Sequence, residues 1–515
     1  MSVEVGDRAG TREWLGLAVL LLPTALLFVA QTVLFLANPH IAADLRPSSD
    51  QLLWVNDVYG FAMAGLLVAM GTIGDRVGRR RVLLLGATVF GVGSVLAAFA
   101  PNIGLLIAAR ALMGIGAAAV MPSTLSLVPH MFKDPRQRAT AVGMWAASVS
   151  VGVAVGPLLG GLLLESFWWG AALLIGVPVM ALVLISAPFL VPEYTAPDAA
   201  EQRMPDVLSV LLSMAALLPF VYGVKDYAKS GPTATAVVSV LVGIAFGFVF
   251  VRRQLRLDTP LLDMRLFRNR SFSGALGVWL LSAIALGGIY LLFTQYLQQV
   301  AGLSPLAAGL WILPAALMLV LVSTVSPVVA RRVRPAYVVA VGAVFSLAGY
   351  LVLTQVESVA GLPMLITGFY LLYPGIAPTM ALTTDLVMSA TPPEKQGAAS
   401  AVSSTSIDLG VSLGIAVMGS IGTAVYHAAV PSGLPAQAAD SLSGALSEAS
   451  AMTGDAAESL VATARAAFTD GLNVAGVVAA VLVAGAALLA LTLLRHVPPA
   501  TVRAEEPDGA DTVNA

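Results

Sequence analysis

The sequence predicts an all-α membrane protein with fourteen transmembrane helices, and three observations support this fold class. Of the 515 residues, 58% are hydrophobic and only 11% are charged, whereas soluble domains usually carry about a quarter charged residues. Fourteen stretches contain the roughly 20 mostly apolar residues that a helix needs to cross a bilayer. The basic residues are concentrated in alternate loops between these stretches, as expected for a protein that crosses the membrane many times.

The predicted spans follow one another with mostly short connections. They lie near 15–37, 51–73, 82–100, 103–125, 139–164, 168–190, 205–223, 235–252, 272–299, 305–330, 337–354, 363–388, 398–426 and 472–494. The first apolar run is longer than the apolar core of a signal peptide, and no A-x-A cleavage site follows it. We therefore interpret this run as the first span.

The basic residues also predict the orientation, with both termini in the cytoplasm. The outside loops then hold Arg46, Lys225, Lys229 and Arg465, and Arg110 lies inside a span. The other 22 of the 27 basic residues face the cytoplasm. The opposite orientation would reverse this ratio, so we expect a multi-pass protein of the cytoplasmic membrane.

Several functional classes find no support in the composition. The net charge of -2 gives no bulk attraction for nucleic acid. The chain has no cysteine, which excludes thiolate metal sites, and its four histidines form no ligand cluster. The phosphate-binding pattern GxxxxGK[ST] is absent, which argues against ATP as the energy source. We expect no enzymatic activity, no metal and no cofactor.

An internal repeat relates the two halves of the chain. A shift of 258 residues aligns 135–156 with 393–414 without gaps. Six of the 22 aligned positions are identical: Pro135/Pro393, Ala141/Ala399, Ser148/Ser406, Gly152/Gly410, Val153/Val411 and Gly156/Gly414. If the two helices of 205–252 are an insertion, spans five and thirteen become equivalent helices of two six-helix bundles. Two such bundles related by an axis along the membrane normal place a substrate site between them.

The repeat and the loop lengths predict the domain organisation. Residues 1–190 form the first six-helix bundle, 191–271 hold the two inserted helices, 272–495 form the second bundle, and 496–515 form a disordered cytoplasmic tail. The second bundle contains a long outside loop at 427–471, rich in Ala, Ser and Gly. We interpret this loop as a solvated lid or spacer that includes a loosely amphipathic helix.

The loop between spans two and three combines glycines, an acid and four arginines. It reads Gly71-Thr72-Ile73-Gly74-Asp75-Arg76-Val77-Gly78-Arg79-Arg80-Arg81. Glycines permit a tight turn, and Asp75 can pair with an arginine or cap a helix. We predict a cytoplasmic gate that forms in one conformation and breaks in another, made by Gly71, Asp75, Arg76, Gly78, Arg79 and Arg80. The matching loop of the second half, Arg331-Arg332-Val333-Arg334, lacks the acid and the glycines and is interpreted as a topology anchor.

Three ionisable residues lie deep inside predicted spans, away from the span ends. Asp57 in span two and Arg110 in span four lie at similar depth, and we predict a coupled pair; a structural salt bridge is the alternative. Asp408 in span thirteen lies near mid-membrane on a stripe of serines that includes Ser404. Intramembrane charges are costly and are functional by default. We therefore assign Asp57, Arg110 and Asp408 to proton coupling, with a buried Asp satisfied by serines as the alternative for Asp408.

Span five has a glycine at every fourth position. Gly152, Gly156 and Gly160 share one face, which permits close approach of another backbone, and Pro157 bends the helix. Ordinary tight packing of helices would give the same glycine pattern. The Gly-Pro pair indicates a more specific role, as a hinge or as a leak-proof seam between helices. The predicted antiporter seam comprises these residues and Gly161.

Polar and aromatic side chains within the spans are candidates for the substrate cavity. The predicted lining residues are Gln31, Trp54, Gln295, Tyr373, Ser404 and Asp408. A carboxylate with hydroxyls on its helix face indicates a water-filled cavity that binds a cation or a proton. Aromatic residues near span ends are alternatively members of the interfacial belt.

Together these segments resemble the major facilitator superfamily, in particular its fourteen-helix drug:proton antiporter branch. The similar segments are the G-x-x-x-D-R-x-G-R-R loop at 71–80, R-x-x-x-G at 110–114, GPxxGG at 156–161, the span-two motif at 51–59 and the segment 295–305. The resemblance covers nearly the whole chain. It implies two six-helix bundles plus two inserted helices.

The resemblance also implies a function. It implies a proton-coupled antiporter that exports hydrophobic drugs or antibiotics by alternating access. Asp57 and Arg110 would take part in proton coupling, Asp75 and Arg76 in the cytoplasmic gate, and the Gly156-Pro157 pair in the antiport seam. The expected partners are a small hydrophobic substrate, protons and the lipid bilayer, with the chain acting as a monomer.

Two positions depart from the pattern of this branch. Ala30 stands where the span-one motif usually has an acid, and Ser404 stands where many relatives have Glu. Both changes remove carboxylates that attract lipophilic cations. We therefore expect neutral, zwitterionic or anionic hydrophobic substrates rather than dicationic dyes.

The main alternative function uses the same scaffold. It is a proton-coupled importer, or a transporter of a dedicated metabolite or a self-made antibiotic; the Gly156-Pro157 segment favours export. A membrane-embedded enzyme or sensor would need clustered His, Cys or acidic residues, or a soluble effector domain. An interaction-only scaffold would not need ionisable residues such as Asp57 inside the bilayer.

Overall fold

The computed structural model describes residues 9–499, except for 133, 196–205, 231–232, 258–259, 261–263, 390–395 and 432–433. The helices are α1 (Thr11–Leu45), α2 (Ser49–Val77), α3 (Arg79–Ala98), α4 (Ile103–Met131), α5 (Pro135–Ser166), α6 (Trp169–Leu174), α7 (Gly176–Leu190), α8 (Val207–Ser230), α9 (Ala234–Gln254), α10 (Arg270–Gln295), α11 (Pro305–Ala330), α12 (Pro335–Leu353), α13 (Leu362–Ser389), α14 (Gln396–Ala429), α15 (Ala436–Asp440), α16 (Leu442–Ser450) and α17 (Asp455–Leu493). A 3-10 turn (Met264–Arg268) precedes α10, and a π-helical turn (Tyr296–Val300) follows it.

The helix count supports a many-span membrane protein, but fourteen spans are not confirmed. Within the described residues, 12 helices are long and apolar enough to cross a membrane, with α6 and α7 acting together as one of them. The helix α2 bends by 50° between Leu67 and Ala69, and counting it as one span gives 13. The remaining predicted span, 205–223, corresponds to α8, whose apolar stretch covers only Leu208–Gly223.

Polar residues in the short turns start several helices. The Ser48 hydroxyl accepts the Gln51 backbone N–H, and the Gln51 side chain accepts the Ser48 backbone N–H in return. Asn102 caps α4 by accepting the Leu105 N–H, and Ser304 caps α11 just before Pro305. Such side chains satisfy the unpaired N–H groups of a first helical turn. They therefore fix where the chain leaves one span and enters the next.

The long loop predicted at 427–471 is mostly helical. The helix α14 continues to Ala429, two short helices follow, and α17 begins at Asp455 rather than near 472. The early part of α17 buries Leu460 and Ala464, and α17 packs against α16. This contact stabilises the helix outside the apolar stretch, so the helix begins earlier than the predicted span does.

The helix order defines two faces of the bundle. We call the end that carries Arg79–Arg81 and Arg331–Arg334 the arginine face, and the end that carries α15 and α16 the loop face. The spans alternate between these faces, so α2 and α11 both end at the arginine face. The backbone carbonyl of Arg495 at the end of α17 accepts a hydrogen bond from Arg334 there.

The helix contacts follow two matching patterns. In the first half α1 packs on α5, α2 on α4, and α3 on α4; in the second half α10 packs on α14, α11 on α13, and α12 on α13. The halves meet along two seams, α2 with α14 and α5 with α11. The helices α8 and α9 form a hairpin, and α8 contacts α2 and α14. Phe61, Val221 and Ala416 form a small buried cluster at that junction.

The repeat predicted from the sequence recurs in the helix packing. A Cβ atom at Gly152 would collide with the Ala25 backbone of α1. At the position 258 residues later, a Cβ atom at Gly410 would lie 2.7 Å from the Ala283 Cβ of α10. Ala25 and Ala283 are themselves 258 residues apart. The same shift therefore relates α1 to α10 as well as α5 to α14.

Candidate functional site

A cavity of about 120 Å³ lies between the two halves. Its walls come from α1, α5, α10, α11, α13 and α14. The lining residues are Phe28, Gln31, Thr32, Phe35, Val149, Val153, Trp279, Leu286, Gly287, Tyr290, Leu319, Tyr373, Ile376, Met380, Ile407 and Val411. Apolar pockets with a few polar groups are typical of small-molecule sites. We call this space the central cavity.

The central cavity is lined in part by residues that the 258-residue shift relates. Four such pairs lie in the lining: Phe28/Leu286, Thr32/Tyr290, Val149/Ile407 and Val153/Val411. Two of them come from the repeat segments identified in the sequence, and two come from α1 and α10. The pseudo-twofold axis of the halves therefore passes through the cavity.

Aromatic rings form a continuous column along one wall of the cavity. The Phe35 ring lies edge-on to Tyr290, with centroids 5.2 Å apart. Tyr373 stacks on Phe369 at 4.8 Å, and Phe369 stacks on Phe293 at 3.8 Å. Ring pairs in these arrangements contribute about 0.5–1.5 kcal/mol beyond area burial. Phe35, Tyr290 and Tyr373 line the cavity, and the buried rings of Phe369 and Phe293 support Tyr373 from behind.

Two polar atoms of the cavity lining have no hydrogen-bond partner within the described part of the chain. They are the Tyr290 hydroxyl and the Trp279 indole N–H. The two side chains are only 5% and 4% exposed. A buried polar group without a partner is costly, and tyrosine and tryptophan normally find one when buried. These two donors therefore suit a ligand that carries hydrogen-bond acceptors.

The predicted cavity residues fall into three groups. Gln31 and Tyr373 line the central cavity. Gln295 lines a separate space near the loop face, and Trp54 packs beside Phe61 at the junction of α2, α8 and α14. Ser404 and Asp408 lie on α14, but their side chains are outside the described residues. Two of the six predicted residues therefore line the central cavity, two lie elsewhere, and the side chains of two are not described.

Several central-cavity residues were missed from the sequence, above all Trp279 and Tyr290. Neither stands out, because both lie in an apolar span where aromatic side chains are ordinary. The repeat held a usable signal. Shifting Thr32, the neighbour of Gln31, by 258 residues gives Tyr290.

Asp57 and Arg110 are both fully buried. The Arg110 Nε donates to the Val55 carbonyl at 3.2 Å, and its guanidinium carbon lies 4.5 Å from the centre of the Tyr59 ring. Arg110 thus contacts α2 two residues before and two residues after Asp57. At about 100° per residue, Asp57 shares a face of α2 with Trp54, on the side that packs toward α8 and α14. Arg110 of α4 therefore contacts the same segment of α2 that carries Asp57.

A narrower space of about 70 Å³ lies between the halves near the loop face, and we call it the vestibule. It is lined by Asn56 and Gln295 among others. Asn56 precedes Asp57 in the chain and exchanges side-chain amide hydrogen bonds of 3.2 Å with Asn38 of α1. The vestibule therefore reaches the residue next to Asp57.

Hydrogen bonds join the two halves at the loop face. The carboxylate of Asp440 accepts the Ser49 backbone N–H at 2.8 Å, and the Ser49 hydroxyl donates to the Asp440 carbonyl at 2.7 Å. The His427 ring lies 3.6 Å from the same carboxylate. Ser49 begins α2 and Asp440 ends α15, so this contact joins the first half to the second.

The turn between α2 and α3 contains the predicted gate residues. Arg79 pairs with Asp75, with Nε donating to Oδ1 at 2.8 Å. A Cβ atom at Gly74 would lie 2.9 Å from the Arg79 side chain, and the nearest neighbours of Gly71 are Pro122 and Arg79. Gly74 thus leaves space for the buried Arg79 side chain along α2, whereas a Cβ atom at Gly71 would make only ordinary contacts. Arg76, in the last turn of α2, is half-buried.

The same turn is also held by an acid that the sequence analysis did not identify. The carboxylate of Glu193 accepts the Arg80 backbone N–H at 3.0 Å and lies 3.5 Å from the Arg80 side chain. The Arg80 side chain also donates to the Val191 carbonyl at 3.0 Å. Gly78 has a φ of +117°, and a Cβ atom there would lie 2.5 Å from Glu193. The turn is therefore fixed to the chain beyond α7.

The glycines of α5 face two different helices. A Cβ atom at Gly156 would overlap the Thr32 hydroxyl, and one at Gly160 would lie 3.2 Å from Val33, so both glycines allow α1 to approach closely. Gly161 faces the other half, where a Cβ atom would lie 2.7 Å from the Leu306 Cα of α11.

Beside Gly161, the Pro157 carbonyl also faces the other half. It would lie 2.5 Å from a Cβ atom at Gly309 of α11. The predicted seam residues therefore pack α1 inside the first half and α11 across the halves.

Comparison with known proteins gives one family. A sequence profile described as Major Facilitator Superfamily matches residues 20–415. The multidrug efflux pump LfrA of Mycolicibacterium smegmatis is 42% identical over 486 residues, which cover 93% of this chain and 96% of LfrA. The methyl viologen resistance protein SmvA of Salmonella typhimurium is 36% identical, covering 85% of this chain and 88% of SmvA.

Another relative and the solved structures agree with this family. The tetracenomycin C resistance and export protein of Streptomyces glaucescens is 30% identical over 79% of this chain and 76% of its own length. A crystal structure of a bacterial homolog of the human lysosomal transporter Spinster, inward-facing and unoccupied, superposes with a TM-score of 0.62. Its sequence identity is 17%, and the match covers 95% of this chain and 98% of the Spinster homolog. The solved structure supports the fold.

Proposed function

We propose that this chain, which belongs to the Major Facilitator Superfamily, exports hydrophobic small molecules such as drugs or antibiotics across the cytoplasmic membrane in exchange for protons. The observation that carries the proposal is the central cavity on the pseudo-twofold axis, lined by apolar and aromatic side chains. The relatives are named for multidrug efflux, methyl viologen resistance and tetracenomycin C export. They match this chain over most of its length.

The orientation follows from the arginine face, which we place in the cytoplasm together with both termini. The helix α8 then also crosses the membrane, despite its short apolar stretch, and brings the number of spans to fourteen. If α9 crossed and α8 did not, the second half would be inverted. Arg331–Arg334 would then lie on the opposite side from Arg79–Arg81, against the alternation of the helices.

The described conformation suits uptake of substrate from the cytoplasm. Three contacts near the loop face join the halves, at Gly161 with Leu306, at Gly419 with Leu53 and at Ser49 with Asp440. All of them are within about ten residues of the loop-face ends of their helices. The cavity is thus closed toward the loop face, and alternating access would break these contacts to release substrate outside.

Proton coupling is proposed for Asp57, Arg110 and Asp408. Protons from outside would reach Asp57 through the vestibule beside Asn56. Asp57 lies on the side of α2 that packs toward α8 and α14, so a change in its charge acts where the halves move against each other. One charge crossing the membrane is worth about 2.3 kcal/mol per 100 mV. That is sufficient to bias two conformations that differ by a few kcal/mol.

Four variants in one vesicle assay test the coupling. Purified protein is reconstituted into proteoliposomes, a pH gradient and a voltage are imposed, and export of a fluorescent hydrophobic substrate is recorded. Wild type should export only with the gradient, and Asp57→Asn and Arg110→Ala should lose gradient-driven export. Asp408→Asn should change the substrate spectrum. Glu165→Gln, at the exposed end of α5, removes an acid outside the proposed path and should behave as wild type.

The outcomes separate this function from its alternatives. Export that persists undiminished when the gradient is dissipated would refute proton coupling. Accumulation in the opposite direction, measured by counterflow, would show an importer on the same scaffold. An unaltered substrate spectrum in Asp408→Asn would remove that residue from the cavity. Light scattering on the detergent-solubilised protein tests the proposal that the chain acts as a monomer.

A further inference from the structure

A long groove runs along the outer surface of the second half. It encloses about 670 Å³. The helices α11 and α12 form its walls, and Pro374, Gly375 and Pro378 of α13 form its floor. Gly342 of α12 lies so close to α13 that a Cβ atom there would be 2.5 Å from the Gly375 carbonyl. The small residues at this contact make the groove deep.

The groove is apolar and open to the surrounding membrane. Wall residues include Leu321, which is 64% exposed, and Val341, which is 58% exposed. The Ser326 and Tyr370 hydroxyls in the lining donate to backbone carbonyls of α11. Neither hydroxyl therefore needs a polar group from outside. Only a hydrocarbon occupant suits such a surface within a bilayer.

The length of the groove fits one leaflet. Within α11 it extends from Met318 to Val329, which is about 17 Å at a rise of about 1.5 Å per residue. The hydrocarbon core of a bilayer is about 30 Å thick, so each leaflet contributes about half of that. The groove can therefore hold an acyl chain that enters from one side of the membrane.

The arginine-face end of the groove is strongly basic. Val333 and Tyr337 line the groove, and Arg331, Arg332 and Arg334 surround Val333 in the same exposed turn. The sequence of this turn, Arg331-Arg332-Val333-Arg334, contains no acidic residue, and Arg334 also donates to the Arg495 carbonyl. Guanidinium groups bind phosphate through two parallel hydrogen bonds. Clusters of arginine next to a span attract anionic lipids.

We propose that this groove is a binding site for one acidic phospholipid, with an acyl chain between α11 and α12 and its phosphate at Arg332 and Arg334. A topology anchor explains the positive charge of the turn but not the adjoining groove. The inference does not depend on the direction or the coupling of transport, because it concerns only the lipid-facing surface of the second half.

Native mass spectrometry of the purified full chain tests whether the arginines select an acidic lipid. The protein is titrated with phosphatidylglycerol and, separately, with phosphatidylcholine. Wild type should bind one phosphatidylglycerol more tightly than phosphatidylcholine. The double variant Arg332→Gln, Arg334→Gln should weaken phosphatidylglycerol binding about thirtyfold, since each basic residue near an acidic lipid contributes about 1 kcal/mol. Arg252→Gln, Arg256→Gln removes the same charge at the end of α9 and should retain the tight site.

A second pair of variants tests the groove. Val325→Trp places an indole on the groove wall at a residue that is 47% exposed and should abolish the tight site. Val481→Trp, at a 66% exposed position of α17, makes the same substitution on another lipid-facing surface and should not.

Three results would overturn the proposal. Equal weakening by both arginine pairs would show only bulk surface attraction. Tight binding of glycerol 3-phosphate together with an unaffected Val325→Trp variant would show a headgroup site that does not use the groove. Equal affinity of wild type for the two lipids would show that no acidic lipid is selected.

Discussion

Replacing Tyr290 with phenylalanine should stabilise the empty protein and weaken substrate binding at the same time. The Tyr290 hydroxyl is buried, and it has no hydrogen-bond partner within the described residues. Leaving such a group unsatisfied costs about 1–3 kcal/mol, so its removal should stabilise the empty protein by about that amount. The ring contact with Phe35 is retained in the variant because phenylalanine keeps the same ring.

The effect on substrate has the opposite sign. A substrate acceptor that bonds the Tyr290 hydroxyl recovers the same 1–3 kcal/mol, because the hydroxyl was already removed from water. The variant should therefore bind such a substrate about 5- to 150-fold more weakly, at about 1.4 kcal/mol per tenfold. The substrate for this assay is chosen by a resistance profile of a sensitive host that expresses the chain.

The assay combines two measurements on purified protein in detergent. One is the apparent melting temperature without substrate, and the other is the substrate Kd from tryptophan fluorescence. Tyr350→Phe is the matched control, since the Tyr350 hydroxyl is also buried without a hydrogen-bond partner in the described part of the chain but does not line the central cavity. It should raise the melting temperature and leave the Kd unchanged. A Tyr290→Phe variant with the Kd of wild type, or with a lower melting temperature, would refute this reasoning.

Two further predictions follow from the packing and the charges. Gly156→Ala should destabilise the protein by about 1–3 kcal/mol, because the added methyl overlaps the Thr32 hydroxyl, whereas Gly143→Ala meets open space and should not; unfolding in a denaturing detergent measures both. The hydrogen bond from Arg253 lowers the pKa of Asp206 from 3.8 to about 2. Since the lowered pKa belongs to the folded protein, the stabilisation is complete above about pH 4 and is lost as the pH falls toward 2. Hydrogen exchange of α8 should therefore rise over that range in wild type but not in Asp206→Asn.

The positions of most spans could be predicted from the sequence, because a membrane selects long apolar runs. The start of α17 could not. The early part of this helix packs on α16, and a search for long apolar runs does not detect such a contact. For α8 the apolar stretch is short, so the apolar run alone does not decide whether this helix crosses the membrane.

The candidate site was only partly predictable. The aligned repeat segments contain the pairs Val149/Ile407 and Val153/Val411; all four residues line the central cavity, although the sequence analysis did not assign them to it. Aromatic residues such as Tyr290 were missed because a ring that faces a cavity and a ring that faces lipid give the same local pattern.

Glu193 was missed for a different reason. It lies 113 residues from its partner Arg80, in a short segment beyond α7 without any motif. Only the three-dimensional arrangement brings the two residues together.

The hairpin of α8 and α9 makes the two junctions between the halves unequal. The junction of α2 with α14 is covered by α8, where Met214 packs so closely on Gly65 that a Cβ atom there would collide with it. The symmetry-related junction of α5 with α11 has no such inserted helix among the described contacts. If the halves rock as proposed, one flank would move against protein while the other would move against lipid. Friction and sideways access for membrane-dissolved molecules therefore differ between two flanks that the repeat alone would make identical.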